Sequence, residues 1–210
     1  VIVCASLYQE NYQSLADKTL KENRQRYCEK NGYEPIWLFS ETVEGGSFEN
    51  ACFLGFKKIE LILEIFQHIP HADYVWFADC DAMVMNMRIR IEEIVKKYPF
   101  DILVGSDKNG MSCGSMILKK CDSTLNYLNN LLVDRNSHLH EQDFFWKNPK
   151  PFIFKTPQRE MNSWDCTLPS LGPDNPEAQF QTGDFFIHWP SQSIETRLAC
   201  YEKFKGKVID

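Results

Sequence analysis

The first half of the chain switches repeatedly between two hydrophobic periods. VIVCASL (1–7) is a short apolar run that breaks into the polar stretch YQENYQS, which predicts a buried strand and then a turn. Ala16, Leu20 and Tyr27 share one face of the helix expected next, with Gly32 as its stop. YEPIWLFS (33–40) reads as a second strand and EGGSFEN (44–50) as a loop. Ile59, Ile62, Leu63 and Phe66 then recur at i, i+3, i+4 and i+7, predicting a helix that ends near Pro70. YVWFAD (74–79) is a third strand. Strands alternating with helices at this spacing predict an α/β fold, with a mainly parallel central sheet, right-handed crossovers and flanking helices.

Further on, RIRIEEIVKKY (88–98) reads as a helix, and FDILVGSD (100–107) and CGSMILKK (113–120) as strands. Residues 122–133 form a helical pattern with Leu125, Leu128 and Leu132 inward. From 147 to 184 the chain is rich in Pro, Asn and Asp, and FIFK (152–155) is its one obvious strand. Irregular segments of that length tend to be functional loops. DFFIHWP (184–190) is a last strand, followed by a helix with Ile194, Leu198 and Tyr201 on one face. There are no repeats or low-complexity tracts, so residues 1–210 are expected to form one domain.

Composition narrows the class. A 210-residue chain with 43% apolar and 25% charged residues has the makeup of a globular protein with a real core. No apolar run approaches the ~20 residues needed to cross a bilayer. The formal charge of -6 argues against a nucleic-acid backbone as main partner, while leaving room for a small anionic ligand in a local basic pocket. The eight cysteines contain no CxxC pair, which disfavours structural zinc, and Cys4, Cys80 and Cys113 sit in apolar stretches. Reduced thiols in a cytoplasmic setting are expected. The chain starts without Met, directly in a strand, which predicts a domain excised from a larger protein or a trimmed terminus.

The candidate chemistry lies where the third strand ends, in YVWFADCDAMV (74–84). Asp79 and Asp81 repel each other and resist desolvation, so something must offset their proximity. In open parallel sheets ligands bind beyond the carboxyl ends of strands, and a D-x-D pair there can hold a divalent cation that bridges a diphosphate. Two other readings compete. Asp79 would be the nucleophile of a haloacid-dehalogenase-like phosphatase, although such motifs continue D-x-D-x-[TV] and the fifth position here is Met83. The bland reading is a solvated strand end.

Five segments in order change the balance: KKIELI, WFADCDAMVMN, SCGSMILKK, HEQDFFW and TGDFFIHWP, spanning residues 57 to 190. In them the chain resembles the GT-A glycosyltransferase family of plant xyloglucan xylosyltransferases and yeast α-galactosyltransferases. It also looks like the N-terminal glycosyltransferase domain of a large multidomain chlorella-virus protein, which would place it in the host cytoplasm. The resemblance implies a single GT-A domain, with a Rossmann-like nucleotide-diphospho-sugar transferase fold. It implies a retaining, metal-dependent transfer from a UDP-sugar to a glycan or glycoprotein acceptor, with Mn²⁺ as the metal and Mg²⁺ as a substitute. An inert sugar-nucleotide-binding module is the alternative from outside the enzymes.

Residue by residue, the resemblance makes Asp79, Asp81 and His188 the metal ligands. Lys58, with Lys57 as its neighbouring alternative, would reach a phosphate or a donor hydroxyl. Gln142 would sit near the anomeric carbon and Glu141 or Asp143 would bind sugar hydroxyls; either carboxylate keeps a double displacement open. Ser112, Cys113, Gly114 and Ser115 would line the sugar pocket. Ala5, Ser6, Tyr8 and Asn11 would receive the nucleoside, and Trp146, Arg159 and Trp164 an acceptor sugar. Two departures stand out. Ser112 replaces an Asn of the plant members, and the Lys that follows their metal His is missing, leaving Arg197, Gln192 or Ser193 for the phosphates.

Overall fold

The computed structural model describes residues 1–41, 47–171 and 175–210, with the backbone alone for 47–51. Strand β1 (Ile2–Tyr8) is buried along its whole length, because it is paired on both edges and covered on both faces. A helical stretch follows in three parts: α1 (Gln13–Ala16), a π-helical segment (Asp17–Arg24) and α2 (Gln25–Asn31). It stops at Gly32, whose φ of 74° needs a residue without Cβ. Strand β2 (Glu34–Phe39) runs parallel to β1.

Helix α3 (Ser47–His68) begins inside the stretch expected to be a loop; residues 44–46 of that stretch lie outside the described residues. After Gly46 no Pro or Gly interrupts the chain until Gly55, so the helix extends back towards the glycine pair. Strand β3 (Tyr74–Ala78) joins β1 in parallel, and β4 (Ala82–Val84) follows the aspartates. Helix α4 (Ile91–Val95) is shorter than the expected 88–98. Asn86 draws the Arg88 N–H into a turn before it, and Pro99 follows close after it.

Strands β5 (Ile102–Asp107) and β6 (Gly110–Lys119) form an antiparallel hairpin, since a two-residue link cannot make a crossover. Helix α5 (Asp122–Val133) buries Thr124, Tyr127, Leu128 and Leu131, leaving Leu125 and Leu132 half-buried at its edges. The aromatic ring of Tyr127 turns the inward stripe, packing on Phe144, Phe145 and Phe152. Next come α6 (Glu141–Lys147), β7 (Ile153–Lys155), α7 (Gln158–Met161), β8 (Ser163–Trp164), β9 (Phe186–His188) and α8 (Ile194–Lys205).

The main sheet has the order β2-β1-β3-β6-β5-β7, with β6 antiparallel to both of its neighbours and the other pairings parallel. This is the mainly parallel α/β sheet that the periodicity predicts. A second sheet, β4-β9-β8, was not anticipated; strands of two or three residues carry no readable period. One core lies between the main sheet and α3, α5 and α6, and another between the sheet and the Tyr27, Trp76 and Phe185 rings. Among the described residues no helix is long and apolar enough to cross a membrane, and Cys4, Cys28, Cys80, Cys113, Cys121, Cys166 and Cys200 form no disulfide.

Candidate active site

Because β6 is antiparallel, its first residues reach the same edge of the sheet as the end of β3. The Asp79 N–H donates to the Gly114 carbonyl at 2.9 Å, and the chain then turns through Cys80 and Asp81 into β4. Strand β9 pairs with β4 so that His188 lies opposite Ala82. The two sheets therefore converge at this corner, and Asp79, Asp81 and His188 offer ligand atoms that all lie within 4.8 Å of one another.

The orientation of His188 follows from hydrogen-bond chemistry. The Trp164 indole N–H can only donate, so the Asn162 atom it meets at 3.1 Å is the carbonyl oxygen. The same oxygen lies 2.8 Å from His188 Nδ1, which must then carry the ring proton. Unless it takes a second proton, Nε2 is then a bare lone pair 3.1 Å from Asp81 Oδ1. Two acceptors facing each other in a buried place require a cation or a second proton between them. Two carboxylates plus a pre-oriented imidazole form a donor set suited to a divalent cation.

The aspartates already have protein counter-charges. Lys58 is buried and directs its ammonium to Asp79 Oδ1 at 3.0 Å, Glu141 Oε1 at 2.8 Å and the Cys113 carbonyl at 3.0 Å. Burial alone would lower its pKa, but the two carboxylates outweigh that and raise it. Arg197 pairs with Asp81 Oδ2 at 2.7 Å while donating to the Trp189 carbonyl and the Tyr12 hydroxyl. Burial pushes Asp81 up, yet the charge that His188 gains when its ring takes a second proton, together with the Arg197 charge, prevails and holds it below its ordinary range. Asp79 moves the other way: burial raises it, Lys58 opposes, and the Asp81 charge adds to the rise.

Two glycines admit these groups. A Cβ on Gly55 would lie 1.9 Å from Glu141 Oε2, which accounts for a glycine inside α3. A Cβ on Gly114 would lie 2.6 Å from His188 Cε1 and 3.3 Å from Asp79 Oδ2. Gly114→Ala is therefore expected to weaken binding of any divalent cation at this cluster by about 10-fold or more while costing about 1–3 kcal/mol of stability, checked by calorimetric titration and thermal unfolding.

A pocket of about 440 Å³ opens above the cluster, lined by Lys58, Asp79, Asp81, Gln142, Trp164 and His188 among others. Gln142 accepts the Cys113 N–H through its side-chain oxygen at 2.9 Å, which leaves its amide N–H groups for the pocket. A smaller space of about 220 Å³ adjoins it, sharing Lys58, both aspartates and Glu141 and adding Leu7, Tyr12 and Leu54.

The other expected site residues divide. Glu141, Ser112 and Gly114 line the main pocket, but Ser115 turns inward to accept the Trp76 indole N–H. Asp143 does not reach it: on the next face of α6 its carboxylate is held by Lys147 at 2.9 Å and His138 at 3.1 Å. Lys57 pairs with Glu60 on the outer side of α3. Along β1 the side chains alternate, so Ala5 and Leu7 pack in the core under α3, with Leu7 at the smaller space. Tyr8 packs on Ala16, Leu20 and Cys80, and Ser6 is fully buried. Asn11 is exposed, and Tyr12 takes the position expected for Tyr8. Of the phosphate candidates, Ser193 caps α8 and Gln192 bonds Ser170 and the Pro190 carbonyl, so Arg197 alone reaches the aspartates. Arg159 is drawn away by Asp184 and Trp146 by the Met111 carbonyl, whereas Trp164 stays at the pocket.

Several residues had no signal in the sequence. Asn162 sits in an irregular stretch, and Asp107 and Lys108 line the pocket from the β5–β6 turn, where only the turn-like D-K-N-G spelling marked them. Arg24 reads as part of a polar helix face.

A main sheet with one antiparallel strand, and a D-x-D turn meeting a histidine from a second small sheet, define a class: the GT-A type of glycosyltransferase fold. Sequence likeness points the same way, since residues 1–99, a little under half of the chain, match the galactosyl transferase GMA12/MNN10 family. A "Probable alpha-1,2-galactosyltransferase gmh1" of Schizosaccharomyces pombe is 24% identical over 198 residues, covering 72% of this chain and 58% of that protein. The chain spans about 60% of the length of the first three curated relatives it matches. Among solved structures, a glycosyltransferase involved in glycosylation of the major capsid of PBCV-1 superposes with a TM-score of 0.76 at 17% identity, over 96% of this chain and 98% of the other. The galactosyltransferase LgtC, solved with donor and acceptor sugar analogs, gives 0.54 at 11% identity, over 99% and 100% of the two chains.

Proposed function

We propose that the chain is a metal-dependent, retaining glycosyltransferase that takes its sugar from a UDP-sugar and passes it to a glycan acceptor. The observation that carries this reading is the convergence of Asp79, Asp81 and His188 at the carboxyl edge of the sheet, with a bare imidazole nitrogen turned towards a carboxylate. When bound, the divalent cation supplies Lewis-acid stabilisation of the departing diphosphate. Arg197, paired with Asp81, is the protein cation that would share that charge in the absence of the relatives' lysine. Leu7, Tyr12 and Leu54 offer the nucleoside an apolar seat beside the aspartates.

The pocket favours a front-face displacement over a double displacement. Glu141 is tied to Lys58 and buried, and Asp143 faces out of the pocket, so neither is free to attack the anomeric carbon. Gln142 cannot act as a base, and its amide N–H groups are suited to a sugar oxygen. The leaving phosphate would accept the proton of the acceptor hydroxyl. A phosphatase reading would make Asp79 the nucleophile, but the chain carries Met83 where such motifs have Thr or Val.

The galactosyltransferases among the relatives make UDP-galactose the first donor to test. Release of UDP from a panel of UDP-sugars, with Mn²⁺ and after chelation, is expected to show one preferred donor and no turnover without metal. UDP-sugar binding without transfer to any glycan acceptor would favour the inert-module reading, and no binding under any condition would remove the proposal.

A further inference from the structure

Arg24 lies at the end of the π-helical segment and is 1% exposed. A buried guanidinium is expected to meet a carboxylate, yet among the described residues none pairs with it. Its N–H groups go instead to backbone carbonyls: Ala78 at 2.7 Å, Ala82 at 2.9 Å and Asp79. These three carbonyls come from the end of β3, from the first aspartate and from the start of β4, so one planar cation clamps both ends of the aspartate turn. The Phe186 and Trp76 rings lie 5.4 and 6.0 Å from the guanidinium carbon and complete its burial. Burial lowers its pKa to about 10, which leaves it charged at neutral pH.

Two neighbours on the same helix serve the same turn. Thr19 donates to the Cys80 carbonyl at 2.6 Å. Asn23 donates to the Val84 carbonyl at 3.0 Å and accepts the Val84 N–H at 2.8 Å. The wider π-helical winding brings residues 19, 23 and 24 onto one face, and such windings concentrate at functional sites.

We propose that Arg24 is the positioning residue of the metal centre: by clamping the carbonyls of the turn it holds the Asp79 and Asp81 carboxylates convergent on His188, and its charge offsets their mutual repulsion. The inference rests on the metal-site reading above. It acts through the turn and touches neither metal nor substrate. A lysine at this position keeps the charge but lacks the planar fork of two nitrogens that spreads over the three carbonyls, so charge and clamp are separable.

The test is the Mn²⁺ affinity of the folded chain, read from the loss of the free-Mn²⁺ electron paramagnetic resonance signal, alone and with UDP, beside the melting temperature. Arg24→Lys is expected to stay folded and bind Mn²⁺ about 10-fold more weakly, and Arg24→Met about 100-fold more weakly. Arg26→Met, on the exposed side of the same helix, should leave the affinity unchanged. If Arg24→Met fails to fold, Arg24→Lys still decides. An affinity equal to that of the native chain in folded Arg24→Lys, whatever its melting temperature, makes the residue merely structural and overturns the inference. No Mn²⁺ binding by the native chain would overturn the metal reading, and this one with it.

Discussion

Asp81→Asn is expected to weaken Mn²⁺ binding at least about 100-fold and to lower sugar transfer by about 10³ or more, because it removes the carboxylate that meets both the imidazole and the guanidinium. The near-isosteric amide keeps the packing, so metal affinity should fall much further than thermal stability. Equal loss of both would instead mark Asp81 as structural. The substitution also has a signature in acid. In the native fold the Asp81 pKa lies below its ordinary 3.8, so its contribution to stability is complete above that value and drains away as the pH falls through the folded value. Asp81→Asn should therefore flatten the acid limb of the stability curve below about pH 4, measured by denaturant unfolding across pH. An unchanged acid limb would show that the ion pair contributes nothing in solution.

Lys58→Met should have the largest effect on folding. The ammonium satisfies two carboxylates and a carbonyl in a buried place, and methionine fills similar space without charge. Leaving Asp79 and Glu141 without their cation should cost about 3–5 kcal/mol, lowering the melting temperature on the order of 10 °C for a chain of this length. Asp79 already titrates above its ordinary value, and without Lys58 it would rise further. A carboxyl group whose folded pKa is raised binds protons more readily in the folded state, so the deficit should shrink as the pH falls towards about 5. A variant as stable as the native chain at neutral pH would mean that these carboxylates are solvated rather than held. Even with wild-type stability restored by acid, the variant should transfer poorly, since the same lysine holds Glu141 beside Gln142.

Much of the fold and site was legible in the order of residues. Strand β3 and its aspartates could be read because five apolar residues end abruptly in D-x-D, and a strand buried on both faces is the place where such a run is stable. His188 and Gln142 were legible through their neighbouring motifs, and both line the pocket. What failed was whatever depended on which face of a short element turns inward. In α6 the neighbours Glu141 and Asp143 spell the same chemistry, but a turn of helix sends one to Lys58 and the other to Lys147 and His138. In α8 the apolar residues suggested a face of Ile194, Leu198 and Tyr201. The buried face is Arg197, Cys200, Tyr201 and Phe204, because an arginine with a carboxylate partner is pulled inward against its usual preference.

Periodicity and motif order alone determined the α/β sheet, the sheet edge at which the acidic pair lies and the residue types suited to a divalent cation, since these depend on local pattern and on a strand ending where water begins. Only the tertiary structure decided that β6 runs backwards to bring Gly114 beside His188, that Asn162 sets the imidazole's proton and that Arg24 grips the turn from behind. Those contacts join residues 26 to 74 positions apart, and no local pattern records a hydrogen bond whose partner lies in another element.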